Sequence, residues 1–403
     1  MKLIKRQLVT AVLASTFSLA AHAVEINFDG AAVQHCLLDN NNKSYSCSDD
    51  ASLPQDDIYI ANTYTVSMDT VDDSDGTRTV TDQGQKTLYA ASAILGAAGR
   101  LEGNLDSQTT VALGAGAEIK GNVKSGTTVA LGAGAKVEGR YPEQSSPISF
   151  STQTTPAINA GSTLALGAEA IVFGNIQAVT TIAVGANANV YGNVNAGTTF
   201  ALGADGGVYG NVVADTTVAL GADSVVAKEA YVYLTLEDGL AVETGPNGDV
   251  QTIVDGSGNV TAGTTVALGA DSSAEGNVES LRSSVTLGVK ANVKGTTKAA
   301  SAVTLGASAY TCSDIHASSA ATLSAGSFVQ GNLNAVTLTV AAGAFVTNNI
   351  QNDANGTANY ATTATLGANA CYGNELKATT ITLGAGAGRC VGTIPDGSCP
   401  GQL

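Results

Sequence analysis

Residues 192–209 read GNVNAGTTFALGADGGVY, and near-copies of this 18-residue unit follow one another along the chain. Residues 103–120 read GNLDSQTTVALGAGAEIK, residues 121–138 read GNVKSGTTVALGAGAKVE, and residues 174–191 read GNIQAVTTIAVGANANVY. A unit this short cannot bury an apolar face by itself, so successive copies must stack on one another. The repeat therefore predicts a solenoid.

The unit has the alternating pattern of β-strands. Its apolar residues fall at every second position, as in Val194, Ala196, Phe200, Leu202 and Val208. Successive side chains of a strand leave opposite faces, so this alternation places one set inside the solenoid. Glycines at the G-N and L-G steps provide the permissive backbone that corners need. We predict an all-β fold, a single-stranded triangular β-helix with rungs of about 18 residues.

One polar residue recurs at the second position of the unit. It is asparagine in five copies, namely Asn104, Asn122, Asn175, Asn193 and Asn211. We expect these side chains to stack at one corner as an amide ladder, with each side chain hydrogen-bonding the next rung.

The inward residue of the L-G step counts the rungs. Fourteen such anchors are Leu95, Leu113, Leu131, Leu166, Val184, Leu202, Leu220, Leu268, Leu287, Leu305, Leu323, Val340, Leu366 and Leu383. We therefore assign residues 93–395 to the β-helix, with insertions near 140–160, 228–262 and 347–361. Fourteen rungs at ~4.8 Å each give a rod of about 65 Å.

The chain ends differ from the repeat. Residues 1–23 combine a basic start, an apolar run and the small-residue site Ala21-His22-Ala23, which is the pattern of a signal peptide. We predict an exported protein of the extracellular space, cell surface or periplasm of a Gram-negative bacterium. Residues 24–92 are predicted to form a β-rich N-terminal cap, since solenoid ends expose open strand edges. Residues 396–403 form a disulfide-bearing tail.

Six cysteines in an exported chain predict disulfides. They are Cys36, Cys47, Cys312, Cys371, Cys390 and Cys399. The favoured local pairings are Cys36 with Cys47 and Cys390 with Cys399, which leaves Cys312 and Cys371. A competing pairing joins Cys371 to Cys390 on consecutive rungs.

The pattern GNVxAGTTVALGADAxVxGNV resembles the bactofilins over about residues 93–395. The resemblance implies a right-handed, three-sided β-helix that assembles end to end into filaments without a nucleotide. Two features depart from that family, because bactofilins are cytosolic and short. The predicted disulfide-bearing caps would also block end-to-end stacking. The six-residue spacing of Ala196, Leu202 and Val208 equally fits a left-handed helix, so handedness stays open.

Charge and side-chain chemistry exclude several functions. The net charge of −16 argues against nucleic acid or an anionic membrane as a partner, because both require clustered Lys and Arg. No apolar run is long enough to insert into a membrane. The charges near Glu118, Lys120, Lys136 and Glu138 alternate in sign, which is typical of a solvated face. We predict no catalytic residues, no cofactor and no metal site.

Two outward surfaces stand out. An uncharged strip of threonines contains Thr110, Thr128, Thr163, Thr181, Thr199, Thr217, Thr265, Thr337, Thr339, Thr363, Thr365, Thr380 and Thr382. Exposed sheets normally carry Lys and Glu against sticking, so the strip is a candidate interaction face. The alternative is that the strip has no partner and only reflects the preference of threonine for exposed strands. The second surface is an aromatic ladder of Phe173, Tyr191 and Tyr209, which could bind a glycan or be covered by an insertion.

These features favour a non-catalytic structural protein of a surface layer, filament or matrix. Its partner would be itself, through lateral assembly, or a flat surface such as cell-envelope material. The alternative hypothesis is an ice-binding protein that uses the threonine strip. A third hypothesis is a glycan-binding or glycan-active β-helix.

Overall fold

The computed structural model describes residues 25–48, 56–68, 70–72, 79–81, 87–139, 155–228, 231–235, 239–241, 251–252, 257–351 and 361–390. In these ranges every regular element is a β-strand. The strands wind into a β-solenoid of about 15 turns, which confirms the predicted fold class. The proposed signal peptide and the tail 396–403 lie outside the described residues.

Three parallel sheets form the walls of the solenoid. Sheet 1 has 16 strands: Glu25–Phe28, Asp57–Ile60, Ser92–Leu95, Thr110–Leu113, Thr128–Leu131, Thr163–Leu166, Thr181–Val184, Thr199–Leu202, Thr217–Leu220, Thr265–Leu268, Ser284–Leu287, Ala302–Leu305, Ala320–Leu323, Thr337–Val340, Ala361–Leu366 and Ala378–Leu383. Sheet 2 has 17 strands: Cys36–Asp39, Ser44–Cys47, Thr65–Met68, Arg100–Glu102, Glu118–Ile119, Lys136–Val137, Ile171–Phe173, Asn189–Tyr191, Gly207–Tyr209, Val225–Ala227, Ser273–Ala274, Asn292–Val293, Tyr310–Thr311, Phe328–Val329, Phe345–Val346, Cys371–Tyr372 and Gly388–Arg389. Sheet 3 has 13 strands: Thr87–Ala90, Asn104–Ser107, Val123–Ser125, Ile158–Ala160, Ile176–Ala178, Val194–Ala196, Val212–Ala214, Val260–Ala262, Val278–Ser280, Thr297–Ala299, Ile315–Ala317, Leu333–Asn334 and Ile350–Gln351.

The anchors of the L-G step stack in one column of sheet 1. Leu95 pairs with Leu113, which pairs with Leu131, and the column continues through every predicted anchor to Leu383. From Leu95 to Leu366 these side chains are at most 5% exposed. The predicted rung register is therefore confirmed.

Corners after the anchor use two different backbone devices. Asn187, Asp205 and Asp223 adopt a φ of 56°, a left-handed conformation that Asn and Asp tolerate better than most residues. The glycine of the L-G step is needed for another reason. A Cβ on Gly203 would lie 2.7 Å from the backbone nitrogen of Ala186 on the preceding turn. That glycine permits close stacking of the turns, whereas we had expected it to supply unusual dihedral angles.

The asparagine column exists, but it bonds to the backbone. The Oδ1 atom of Asn193 accepts a hydrogen bond from the backbone N–H of Asn211 at 2.8 Å, and Asn175 accepts from Asn193 at 2.8 Å. The same contact joins Asn104 to Asn122 and continues from Asn211 to Asn259. The predicted hydrogen bond from each of these side chains to the next rung is therefore confirmed, and its donor is the backbone N–H of the next corner residue.

The solenoid begins earlier than the repeat indicates. Glu25–Phe28 pairs in parallel with Asp57–Ile60, which pairs in parallel with Ser92–Leu95. Residues 24–92, predicted as a separate cap, thus contribute strands to sheets 1, 2 and 3. These first turns lack the G-N and L-G steps, so the repeat does not mark them.

Three long intervals leave the regular turns. Residues 140–154 and 352–360, in the first and third predicted insertions, lie outside the described residues. In the second insertion, Tyr231–Thr235 pairs antiparallel with Gly239–Ala241 and with Gln251–Thr252. Sheet 1 resumes in register beyond each of the three intervals.

Two disulfides are described. Cys36 bonds to Cys47 within the first hairpin, as predicted, with a Cα–Cα distance of 4.1 Å. Cys371 bonds to Cys390 with a Cα–Cα distance of 5.2 Å. The favoured pairing of Cys390 with Cys399 is therefore wrong, and the competing pairing is correct, because residues 19 positions apart are neighbours on successive turns. Cys312 is also disulfide-bonded, whereas Cys399 lies outside the described residues.

Candidate functional site: an uncharged threonine and alanine face

The outer surface of sheet 1 is built from two columns of side chains. The first outward column contains Thr110, Thr128, Thr163, Thr181, Thr199, Thr217, Thr265, Ser284, Ala302, Ala320, Thr337, Thr363 and Thr380. The second outward column contains Ala112, Ala130, Ala165, Ala183, Ala201, Ala219, Ala267, Thr286, Thr304, Thr322, Thr339, Thr365 and Thr382. We call the two columns together the flat face.

The structure places all thirteen predicted strip threonines in the flat face. Ten belong to the first outward column, and Thr339, Thr365 and Thr382 belong to the second. None of the 26 side chains is charged. Acidic residues enter the first column only before the flat face begins, at Glu25 and Asp57, which pair with each other. The strip is thus a continuous surface and not a coincidence of spacing.

The hydroxyl groups of the flat face differ from those of the neighbouring corner. One residue earlier in the unit, Thr109, Thr127 and Thr264 donate to a backbone oxygen of the preceding turn at 2.7, 2.6 and 2.7 Å. Among the described residues, no threonine hydroxyl of the flat face takes part in such a bond. The corner hydroxyls are therefore committed to the solenoid, and those of the flat face remain available to a partner.

The aromatic ladder of sheet 2 is stacked and largely covered. Ring centroids of Phe173 and Tyr191 lie 5.0 Å apart, and those of Tyr191 and Tyr209 lie 4.8 Å apart. Phe173 is 1% exposed and Tyr191 is 3% exposed. Burial raises the pKa of both tyrosines, and the neighbouring Tyr209 adds to the rise at Tyr191. Rings this close admit no sugar between them, so the ladder does not offer an open binding platform.

Beside the ladder, sheet 2 brings four charged groups together. The Nζ atom of Lys136 lies 2.5 Å from Glu138 and 3.5 Å from Glu118, and the Nε atom of Arg100 lies 2.7 Å from Glu118. The same Lys136 atom lies 5.7 Å from the ring centroid of Phe173. Alternating charges that the sequence indicated as a solvated face therefore form one partly buried network. The sequence signal for this network is the spacing of one turn between residues of opposite charge, such as Glu118 and Lys136, which places them next to each other on successive turns.

The two carboxyl groups of this network titrate differently. Burial raises the pKa of Glu138, and its hydrogen bond with Glu118 adds to the rise against the opposing effect of Lys136. Burial acts in the same direction on Glu118, but hydrogen bonds from Glu138 and Arg100 outweigh it and lower the pKa. The contact between the two carboxyl groups thus favours a proton on Glu138 and the ionised form of Glu118. Opposite charges stack on three successive turns, and the side chains of Lys136, Glu118 and Glu138 are at most 21% exposed.

Other potential sites are limited within the part of the chain that the structure describes. No group of three or more His, Cys, Asp or Glu side chains there is arranged to hold a metal ion. No helix in the same residues is long and apolar enough to cross a membrane. Nδ1 of His316 lies 3.2 Å from the side-chain nitrogen of Asn334, so this histidine contacts the next turn of sheet 3.

Comparisons with protein-family models, curated proteins and solved structures gave no match. No relative therefore supports the resemblance to the bactofilins, which rests on the repeat pattern alone. The features that suggest a function are therefore the solenoid and its flat face.

Proposed function

We propose that the chain is an exported, non-catalytic structural protein that packs laterally against a second copy through the flat face. The observation that carries the proposal is the absence of charge from 26 outward side chains on thirteen successive strands. Protein surfaces normally intersperse Lys, Arg, Glu and Asp, which oppose association through a face. The two described disulfides support an oxidising, extracytoplasmic location.

The dimensions of the flat face suit a stable contact. Thirteen strands at about 4.8 Å make it about 60 Å long, and four-residue strands at about 3.3 Å per residue make it about 13 Å wide. Two copies packed through it would bury about 1,600 Å² in total, which is the size of a standard protein interface. Threonine methyl and alanine groups can pack closely in such a contact because neither column carries a long side chain.

A specific observation favours ice as a second candidate partner. On the last three strands both columns are threonine, in the pairs Thr337 and Thr339, Thr363 and Thr365, and Thr380 and Thr382. These hydroxyl and methyl groups repeat every ~4.8 Å along a rigid surface. A regular array of free hydroxyl groups fits a crystalline water surface as well as it fits protein. The glycan hypothesis has no equivalent support, because Phe173 and Tyr191 are buried.

The test replaces Thr181, Thr199 and Thr217 by lysine. These residues lie on consecutive strands of the first outward column, so three like charges would stand ~4.8 Å apart. A flat partner cannot accommodate three solvated ammonium groups, and we expect lateral binding to be lost. The matched control is Gln177→Lys, Asn195→Lys and Val213→Lys, which puts the same charges on the same three turns of sheet 3.

The readouts are electron microscopy of bundles and measurement of ice shaping and freezing-point depression. Bundles formed by the wild type and the control, but not by the threonine variant, would support lateral assembly. If the wild type and the control shape ice and the threonine variant does not, the result would support ice binding, the second candidate function. If all three proteins behave alike in both assays, the flat face has no partner and the proposal is wrong.

A further inference from the structure

The cysteines of the chain leave a single partner for Cys312. Four of the six cysteines form the Cys36–Cys47 and Cys371–Cys390 disulfides. Cys312 is disulfide-bonded as well. Within one chain, the cysteine that remains for it is Cys399. Residues 391–403 lie outside the described part of the chain, and the described turns limit where a bond from Cys312 can hold them.

Cys312 and Cys390 lie in the same outward column of sheet 2. Each backbone N–H of this column donates to the preceding turn, and these hydrogen bonds give the order Cys312, Gln330, Thr347, Gly373 and Cys390. Cys312 is thus four turns before Cys390, a distance of about 19 Å along the rod. The chain from Cys390 to Cys399 reaches about 30 Å when it is extended. A segment that turns back along sheet 2 can therefore reach Cys312 without strain.

The sequence after Cys390 suits such a reversal. It reads VGTIPDGS up to Cys399, and Pro395-Asp396-Gly397 is a turn signal. The segment contains the apolar side chains Val391 and Ile394 and one charged side chain, that of Asp396. Apolar side chains gain free energy when they leave water for an apolar surface. The segment therefore favours a path over an apolar part of the solenoid.

Sheet 2 carries an apolar surface beside this path. Tyr310, Phe328 and Phe345 occupy successive turns of the neighbouring outward column, which we call the aromatic column. The rings of Phe328 and Phe345 are stacked, with centroids 5.4 Å apart and an interplanar angle of 4°. Phe345 is only 6% exposed, although it faces outward. Stacked rings cover the faces of each other but not their outer edges, so a group from outside the column covers Phe345.

We propose that residues 391–399 run back along the outer surface of sheet 2 as a strap, which a Cys312–Cys399 disulfide fixes over the aromatic column. The two ends of the strap lie on either side of the stacked rings. Cys390 is two turns beyond Phe345, and Cys312 is one turn before Phe328. A segment held at both of these points has to cross the pair. This position makes the strap the occupant of the apolar surface.

The strap closes the aromatic column and depends on an oxidised bond. The disulfide forms by exchange with an oxidised dithiol protein, which is reduced while the thiols of Cys312 and Cys399 lose their protons and become joined. This step rests on the extracytoplasmic location proposed above, where disulfides form and persist. With the strap in place, the aromatic column is withheld from other molecules and does not compete with the flat face for a partner.

Peptide mapping under non-reducing conditions tests the bond. The full chain is refolded with oxidised and reduced glutathione, so the result does not depend on export. A peptidase that cleaves before aspartate releases residues 271–313 with Cys312, residues 353–395 with Cys371 and Cys390, and residues 396–403 with Cys399. We expect mass spectrometry of monomeric protein to find 271–313 joined to 396–403. A bond between 396–403 and 353–395, a free Cys399 thiol, or a bond found only between two copies overturns the proposal.

The position of the strap is tested with the double variant Cys312→Ser and Cys399→Ser, which keeps the Cys371–Cys390 disulfide. We expect the fluorescence of anilinonaphthalene sulfonate, a dye that binds exposed apolar surface, to rise severalfold. The matched control adds Phe328→Asn and Phe345→Asn, because asparagine occupies the same column at Asn292. The control should show no rise, and circular dichroism should show the β-strand content of the wild type in both variants.

The outcomes separate this proposal from the function proposed for the flat face. An unchanged dye signal in the folded double variant would mean that the strap does not cover the aromatic column. A rise that persists in the control would place the newly exposed surface elsewhere. Either result overturns the proposal. The threonine-to-lysine variant of the flat face should keep the bond between residues 271–313 and 396–403, so the strap and the flat face fail separately.

Discussion

At the scale of single residues, the asparagine column shows how one side chain determines the geometry of a corner. Asn193 uses Oδ1 to accept from the backbone of Asn211 and uses its own N–H to donate to Asn175. The sequence predicts the column, since the spacing is one turn. It does not predict the partner, because an amide at a corner can reach either the next side chain or the next backbone. Only the position of the corner backbone decides between them.

Replacing Asn193 by alanine tests this backbone contact. The change removes an acceptor from the partly buried N–H of Asn211, and an unsatisfied buried donor costs about 1–3 kcal/mol. We expect the free energy of unfolding to fall by that amount in urea denaturation. Asn195→Ala is the control, because Asn195 is exposed on the adjoining strand Val194–Ala196 and an exposed change typically stays within about 0.5 kcal/mol. Equal losses in both variants would contradict the assignment.

At the scale of strands, the outer surface of sheet 2 shows that the repeat predicts which side chains stack but not which of them are buried. The unit predicts that Phe173, Tyr191 and Tyr209 stack, and that Glu118 lies next to Lys136 on the following turn. It does not predict that Phe173 and Tyr191 are covered or that Glu138 is buried. Burial of an outward residue depends on contacts from beyond its own rung, and the repeat pattern contains no information about those contacts.

The carboxyl pair of sheet 2 predicts a pH effect. Because burial raises the pKa of Glu138 in the folded state above its ordinary value of 4.5, its stabilising contribution is present at low pH and is lost as pH rises through the folded pKa. Glu138→Gln can donate to Glu118 at every pH. The lowered pKa of Glu118 affects both proteins in the same sense, with stability lost on acidification. We therefore expect the stability of the variant relative to wild type to increase from about pH 4 to about pH 8.

Thermal unfolding across that pH range measures the difference in Tm. Glu102→Gln is the control for loss of a carboxylate, since Glu102 pairs with Lys120 at 2.7 Å on the same sheet and is more exposed. A Glu138→Gln variant that loses stability relative to wild type as pH rises would show that the ion pair with Lys136 outweighs the shared proton.

At the scale of the whole molecule, the regular turns were predictable and the ends were not. Leu95 to Leu383 mark every later turn because each anchor is followed by a glycine, serine or alanine at a repeated corner. The intervals between Phe28, Ile60 and Leu95 are nearly twice the repeat length, so periodicity alone does not reveal the first turns. The burial of Phe28 in the first turn likewise depends on which side chains meet there, since its ring centroid lies 5.0 Å from that of Tyr45.

The unequal burial of the two terminal strands of sheet 1 predicts a gradient of local stability along the rod. Each turn of a solenoid contacts only its neighbours, so opening begins where one neighbour is missing. In monomeric protein at low concentration, amides of Ala378–Leu383 and then Ala361–Leu366 should exchange fastest. Those of Thr181–Val184, with many turns on either side, should exchange close to the rate of global unfolding. Glu25–Phe28 should be better protected than Ala378–Leu383, although both are terminal strands of sheet 1.

The variant Tyr45→Phe tests the physical reason for this asymmetry. It keeps the ring over Phe28 but removes the hydroxyl that binds Gly30 and Ala31. Losing two part-buried hydrogen bonds costs about 2 kcal/mol, or roughly a thirtyfold change in an opening equilibrium. Exchange of Glu25–Phe28 should therefore accelerate about thirtyfold while exchange of Ala378–Leu383 stays unchanged, because the two ends are separated by the full length of the rod. Uniform protection along sheet 1 would instead mean that the solenoid unfolds in one step, and that its N-terminal end contributes nothing to local stability.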